Sequence, residues 1–422
     1  MRLNKGIIDM ERIGLIDMRF ALRLTRNPLI SKCKEEGRYP IFIYPLEVIP
    51  RFIQGITSRK DDHLYGSIKE VKKELRALGS DLILIDRDFK PFLEECNKRY
   101  DDLCIIYGQT YPDRVSEFLS IANELKIMSV GLGEVTTCTS PTKSFEGVDA
   151  VTKACTSFIT YKARDFIISN FKDIELDKKV SLPEQKSLEA PFDFLNDMSK
   201  PSSYGGRAKG LSLMSKWIQG DIKFYNPPSI KLDPTSELGS YLKYGSISRQ
   251  ELFLASRKTE GSNLEGNYFY GESILRSEYI LRLACRLEPR LNLSNTEKRK
   301  LSRAQMDMVK IWLKGETESN LANAAMKQLR LTGFVKHSLR YILVRIALSM
   351  IIPKWVILDT LTYLLVDSCM ITTWYYIQEI AKDFKEAKTA FSPSLMENEH
   401  KSYIGIWSNP NIQVVPLTLT YE

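Results

Sequence analysis

The chain has 422 residues, 43% hydrophobic and 27% charged, with a formal net charge of +8. That composition excludes a disordered chain, and the length suffices for two or three domains with real cores. Seven scattered cysteines, never spaced as CxxC, and only three histidines (His63, His337 and His400) argue against a disulfide framework, a zinc site or a His-rich metal centre. The positive balance favours a polyanionic partner without establishing one.

The amino-terminal MRLNKGIIDMERIG has no secretory apolar region. From Arg12 onward, short apolar runs alternate with helical patterns. Strands are predicted at Arg12–Ile16, Pro40–Tyr44, Asp81–Ile85, Asp102–Tyr107 and Ile127–Leu132. Between them, Ile68, Val71, Leu75 and Leu78 recur at helical spacing and stop at Gly79, and Tyr111-Pro112-Asp113 opens another helix bearing Val115, Phe118, Leu119 and Ala122. This alternation predicts a parallel sheet with helices on both faces over residues 1–132. No GxGxxG follows the first strand, so an ordinary dinucleotide site is not supported there.

Residues 133–205 turn rich in Thr, Ser, Lys and Pro and read as a connector over the surface with one or two short helices. Over 206–422 helical patterns dominate, and a strand is expected only in the last dozen residues. Leu339, Ile342, Leu343, Ile346, Ala347 and Met350 fall on one face. The apolar stretch Tyr341–Val366 is broken by Arg345, Pro353, Lys354 and Asp359, so it reads as two buried helices rather than a membrane span. The expected fold class is therefore α/β plus all-α, in a soluble cytoplasmic protein.

Several local patterns, in one order, resemble the DNA photolyase and cryptochrome family. Met18-Arg19-Phe20-Ala21-Leu22-Arg23-Leu24, then Arg26-Asn27-Pro28-Leu29, resembles the family's FRRDLRL…DNPAL opening, with Ala21 in place of Asp. Ala77-Leu78-Gly79-Ser80-Asp81-Leu82 resembles a junction of the same domain, and Phe158-Ile159-Thr160-Tyr161 is similar to VFTPF. Thr235-Ser236-Glu237-Leu238-Gly239-Ser240-Tyr241-Leu242 resembles TSxLSPYL. Trp312-x-x-Gly315-x-Thr317 with Asn323-Ala324-Ala325-Met326 resembles WxxGxTGxPxVDAxM. Thr332-Gly333-Phe334-Val335-Lys336-His337-Ser338-Leu339-Arg340 is similar to TGWxHxxxR. Phe391-Ser392-Pro393 and Lys401-x-Tyr403-Ile404-x-x-Trp407 resemble FNP and KYIRRW.

The resemblance implies an amino-terminal antenna domain and a carboxy-terminal helical FAD-binding domain. FAD contacts fall on Tyr225, Thr235, Ser236, Leu238, Arg340, Asp367 and Thr373. Asp233-Pro234-Thr235-Ser236 also reads as a helix start. Its hydroxyls and free N–H groups suit a diphosphate, and equally suit plain capping. Arg340 and Asp367 correspond to an ion pair against the reactive edge of the flavin; the plain alternative is a bridge between two helices. His337 stands where a histidine could donate a proton to a (6-4) lesion. Trp355 alone matches the electron-relay tryptophans, with Ile377 and Ser302 at or near the others. Glu272, Arg276, Lys336 and Tyr341 fall in the lesion pocket. There the family's WRE reads Arg276-Ser277-Glu278, and the flavin-facing Asn is Thr373.

Lys298, Arg299, Lys300, Lys327, Arg330, Lys336 and Lys354 fall where the family meets DNA, and would neutralise phosphates while a damaged pair flips out. These resemblances imply a monomeric, light-driven lyase acting on ultraviolet-damaged duplex DNA, with FAD and a possible second antenna chromophore. The alternatives are a cryptochrome-like photoreceptor, a non-repairing relative, or a helical DNA-binding or scaffolding protein without cofactor.

Overall fold

The computed structural model describes residues 12–46, 53–54, 59–85, 89–108, 112–132, 205–220, 222, 236–257, 301–386, 397–412 and 418–419. The remaining residues, among them nearly all of the stretch read as a connector, lie outside the described part.

The first region holds β1 (Arg12–Asp17), α1 (Pro28–Glu35), β2 (Tyr39–Pro45), β3 (Ile53–Gln54), α2 (Arg59–Ala77), β4 (Leu82–Ile85), α3 (Phe89–Arg99), β5 (Asp102–Gly108), α4 (Pro112–Glu124) and β6 (Met128–Leu132). Five of these strands form one parallel sheet in the order β4-β2-β1-β5-β6. Strand side chains alternate between the two faces, so each face builds its own core. Ile16, Phe42, Leu84 and Ile106 meet Leu29 and Cys33 of α1 and Ile68, Val71 and Leu75 of α2. Leu15, Ile43, Ile83 and Ile105 meet Phe92 and Leu93 of α3 and Phe118 and Ala122 of α4 on the other face.

Strand order reverses between β1 and β5, the place where open α/β sheets usually offer a crevice. Just beyond β1, the buried Arg19 closes onto Asp17, its Nε lying 3.0 and 2.9 Å from the two carboxylate oxygens. Its guanidinium carbon stands 5.7 Å from the Phe118 ring centroid.

The second region is helical: α5 (Arg207–Gln219), α6 (Gly239–Lys243), α7 (Arg249–Arg257), α8 (Arg303–Lys314), α9 (Asn320–Thr332), α10 (His337–Ser349), α11 (Lys354–Leu364), α12 (Met370–Glu386) and α13 (Lys401–Trp407). A final strand, β7 (Thr418–Leu419), pairs antiparallel with β3. Helix ends are set by local chemistry. Ser302 and Gln305 make a reciprocal capping box, Ser319 caps α9, and left-handed Gly315 and Gly333 close α8 and α9. Apolar faces of α8 to α12 share one core around Trp312, Met326, Leu343, Ile357 and Ile380.

The two regions meet along α2 and the loop after β1. Lys60 Nζ donates to Thr362 O at 3.0 Å and Arg59 Nε to Leu331 O at 3.1 Å. Ser67 Oγ accepts from Gly206 N, Leu22 N donates to Tyr244 O, and Arg23 donates to Gly245 O. Each bond satisfies a backbone group that the seam would otherwise bury unmet. No described helix is long and apolar enough to cross a membrane.

Candidate functional site

The site is built where two turns of the helical region are tied together. Left-handed Gly333 ends α9, and its carbonyl accepts from Val366 N at 2.9 Å, so the turn before α10 and the turn after α11 are held as one. Arg340, in the first turn of α10, is fixed from three directions. Its Nε donates to Val335 O at 2.9 Å, its Nη2 to Asp367 Oδ2 at 2.8 Å, and its guanidinium lies 5.7 Å from the Phe334 ring centroid. Both members of the ion pair are mostly buried, with side chains 18% and 15% exposed.

Gly239 closes this corner. A Cβ there would stand 2.8 Å from both Cβ and Oδ2 of Asp367, so any side chain at that position would displace the carboxylate. Asp367 Oδ1, in contrast, is buried and finds no hydrogen-bond partner among the described residues. A buried carboxylate oxygen left without a donor is costly, and a ligand donor would complete it. A flavin ring N–H is such a donor, and Arg340 beside it supplies the positive charge; the residues fit the group.

The neighbouring Ser236–Gly239 turn carries Glu237 in the left-handed region (φ 53), and Ser236 Oγ accepts from Leu238 N at 3.4 Å. Leu238 is fully buried in its own cluster, which leaves only its backbone to meet a ligand. The helix that follows, α6, has five residues. Thr373 is buried near the start of α12. Tyr225 and Thr235 lie outside the described residues, as do Glu272 and Arg276.

On the outer side, His337 is exposed at the first position of α10. Its ring lies 4.6 Å from that of Tyr376, whose hydroxyl donates to His337 O at 3.1 Å. Lys336 caps the same helix and is half-buried; Tyr341, also half-buried, accepts from Arg345 Nη1 at 2.9 Å. Trp355 sits half-buried in the first turn of α11 against the helical core, and Tyr375 is buried with its hydroxyl 2.7 Å from Glu379 Oε1.

Three cations read as DNA contacts are engaged in internal bonds. Lys327 Nζ donates to Asn409 O at 2.8 Å, Arg330 to Leu313 O at 3.0 Å, and Lys354 Nζ to Gln378 Oε1 at 2.6 Å. Arg330 is half-buried, and burial pulls its guanidinium down to about 10. Lys298, Arg299 and Lys300 lie outside the described residues. No cluster among the described residues has the make-up of a metal site.

One residue escaped the sequence reading. His63, on the buried face of α2, stands edge-on to Tyr241 (centroids 4.5 Å apart) and stacks on Tyr244 (5.6 Å). The only legible signal was one of three histidines falling on a stripe shared with Ser67, Val71 and Leu75. Burial first, then Lys243 and Lys209, push its pKa down to about 3, while Asp367 opposes them. The folded ring thus stays neutral while the unfolded chain takes up a proton below the ordinary value of 6.5. Stability is full above that value and is lost as pH falls towards the folded pKa, by up to about 1.4 kcal/mol per pH unit. Denaturant titrations of the apoprotein at pH 7.5 and pH 5 should show about 2 kcal/mol less acid loss in His63→Phe than in wild type. Equal losses would mean that the ring is not held neutral.

No family profile matches the chain. Among curated proteins, cryptochrome-2 of Arabidopsis thaliana is 22% identical over 95% of this chain and 71% of its own length. A deoxyribodipyrimidine photo-lyase of Streptomyces griseus is 29% identical over 35% of this chain and 32% of its own length. Among solved structures, a bacterial class III photolyase from Agrobacterium tumefaciens superposes with a TM-score of 0.72 at 17% identity, over 96% of this chain and 88% of that one. An archaeal photolyase from Sulfolobus tokodaii, solved with two FAD molecules, gives 0.69 at 17% identity, over 96% and 91%. Similarity along nearly the whole of this chain and the shared α/β-plus-helical fold agree with the motifs in their order: in sequence and in fold the chain is similar to the photolyases and cryptochromes.

Proposed function

We propose that the chain binds FAD at the Arg340–Asp367 corner and uses blue light to drive electron transfer to pyrimidine dimers in DNA. The observation that carries this reading is the buried Asp367 Oδ1, without a partner among the described residues, beside a fixed guanidinium. When bound, reduced and excited FAD supplies an electron that splits the dimer and then returns. The protein's part is orientation and electrostatics. Arg340 places a cation against the anionic reduced ring, and Asp367 Oδ2 holds that cation while Oδ1 accepts from the ring. The Ser236–Gly239 turn receives the diphosphate, a role that the resemblance extends to Thr235 and Tyr225, and Thr373 serves the ring. His337, exposed at the rim, meets the lesion, with Lys336 capping and Tyr341 within the same helix; the resemblance assigns Glu272 and Arg276 to the same task. Ultraviolet-damaged duplex DNA is the partner.

The test is the visible spectrum of purified protein incubated with FAD. A yellow or blue protein with one FAD per chain is expected, and a protein that stays colourless overturns the reading. Two FAD per chain would instead reveal a second chromophore. The closed Arg19–Asp17 pair at the strand-order reversal favours one.

Trp355 is proposed as the electron donor that restores reduced flavin. Photoreduction in Trp355→Phe should slow at least on the order of tenfold, read by the loss of oxidised-flavin absorbance under blue light. An unchanged rate would assign the donor elsewhere, with Tyr375 the first to test.

A photoreceptor without repair activity is the second reading. It is favoured by the similarity to a cryptochrome over 95% of this chain and by the internal bonds of Lys327, Arg330 and Lys354. Repair of ultraviolet-damaged oligonucleotides under blue light separates the two.

A further inference from the structure

Asp367 Oδ1 is among the buried polar atoms that stay unmatched among the described residues, and so is His63 Nε2, contributed by α2 of the α/β region. His63 is only 3% exposed, so this nitrogen has no access to bulk water. The two phenol rings that hold it, Tyr241 and Tyr244, flank its faces and offer the nitrogen nothing in exchange. A buried ring nitrogen left without a partner is a cost that a packed phenyl group would not incur.

His63 and Asp367 border the same short helix. Gly239 at the head of α6 touches Asp367, and Tyr241, two residues on, touches His63. The charges acting on His63 are Lys243 on α6, Lys209 on α5 and the more favourable Asp367. Asp367 is already paired with Arg340. Two lysines thus act on the ring, beside a nitrogen that finds no partner among the described residues, and the pairing suits an anion rich in acceptor oxygens.

From these positions we infer that His63 is a cofactor-binding residue contributed by the α/β region, its Nε2–H donating to an oxygen of the FAD diphosphate. The inference rests on the FAD reading above. The isoalloxazine end belongs to Arg340 and Asp367, while Lys209 and Lys243 complement the phosphates. FAD would then touch both regions at once and hold α2 against α6.

The test compares binding of FAD and of riboflavin, which lacks the diphosphate, to apoprotein by quenching of flavin fluorescence. His63→Phe keeps the ring between Tyr241 and Tyr244 and removes the nitrogen; His63→Gln keeps a donor near the Nε2 position. FAD affinity should fall on the order of tenfold in His63→Phe, recover largely in His63→Gln, and riboflavin affinity should stay unchanged in both. Equal FAD affinity in wild type and His63→Phe would overturn the inference and leave the FAD reading intact. Parallel loss of FAD and riboflavin would also overturn it, by showing that His63 only packs. Wild type that binds no FAD would end both readings. A second measurement needs no substitution at His63. The chain has three histidines, so their ring proton–carbon signals can be assigned with His337→Gln and His400→Gln. The His63 signal should shift when apoprotein is saturated with inorganic pyrophosphate or FAD. A His63 signal that stays in place at saturation overturns the inference.

Discussion

Replacing Arg340 with alanine is expected to lower the reduction potential of bound flavin by roughly 60–130 mV per electron, the equivalent of losing one charge-assisted contact worth about 1.5–3 kcal/mol. The direction follows from charge. Arg340 is the cation of the corner, fixed by Val335 O and Asp367 Oδ2. Without it, Asp367 faces a ring that becomes negative on reduction, and the reduced state is harder to reach. Among the described residues the variant also leaves Asp367 with neither carboxylate oxygen partnered, because Oδ1 finds no partner there even with Arg340 present. The apoprotein should therefore be less stable as well. Arg340→Lys is the informative companion. It retains the charge but not the fork that reaches Val335 and Asp367 together, so its potential should fall by less than that of the alanine variant. A redox titration of the three proteins decides. An unchanged potential in Arg340→Ala would reduce the pair to a bridge between helices.

Gly245→Ala should cost about 3 kcal/mol or more and lower the melting temperature of this 422-residue chain by about 3 °C or more. Gly245 has φ +69, and a Cβ there would stand 2.0 Å from Phe20 O and 2.5 Å from Phe20 C. The obstacle is backbone, so no rotamer change relieves it. Nor can the loop swing aside, because Leu22 N is bonded to Tyr244 O at 3.0 Å and Arg23 Nη1 to Gly245 O at 2.6 Å. Gly37→Ala separates strain from overlap. Gly37 has φ +64, but a Cβ there would meet nothing within 4 Å, so only the left-handed strain of about 1 kcal/mol applies. Comparable melting of the two variants would show that the loop after β1 yields more readily than its bonds imply.

The strands were legible because their sequences leave little choice. Arg12–Asp17, Tyr39–Pro45 and Asp102–Gly108 are apolar runs flanked by polar residues, and the expected spans differ from the observed ones by a residue or so. Asp81, expected to open its strand, instead accepts from Leu82 N and pairs with Lys72. The short helices were harder. Helix α1 has eight residues and follows Asn27, read only as part of a motif, yet the Asn27 side chain caps the helix and also donates to Ala21 O and Arg23 O. A strand was expected near the end of the chain, but nothing local announces that Thr418–Leu419 pairs with Ile53–Gln54.

The candidate site divides the same way. Arg340 and Asp367 could be matched one residue at a time to a known pattern. The contact of Gly239 with Asp367, and His63 reaching the corner from another region, depend on tertiary packing that no periodicity encodes. The cations ascribed to DNA were ambiguous in the sequence for a related reason. A lysine in a basic cluster looks alike in sequence whether it meets solvent, a phosphate or, as Lys327 does, a carbonyl of its own chain.

The bonds of Arg59 to Leu331 and of Lys60 to Thr362 join residues 272 and 302 positions apart. Contacts of such long sequence separation form late, because a large loop must close before they repay its entropy. On the ribosome the α/β sheet can complete itself while α11 is still unsynthesised, leaving the outer face of α2 without its cover. The corner around Asp367 then assembles only after the sheet, and the proposed capture of FAD would follow once synthesis has passed it. Refolding followed by flavin fluorescence should accordingly lag behind refolding followed by secondary structure.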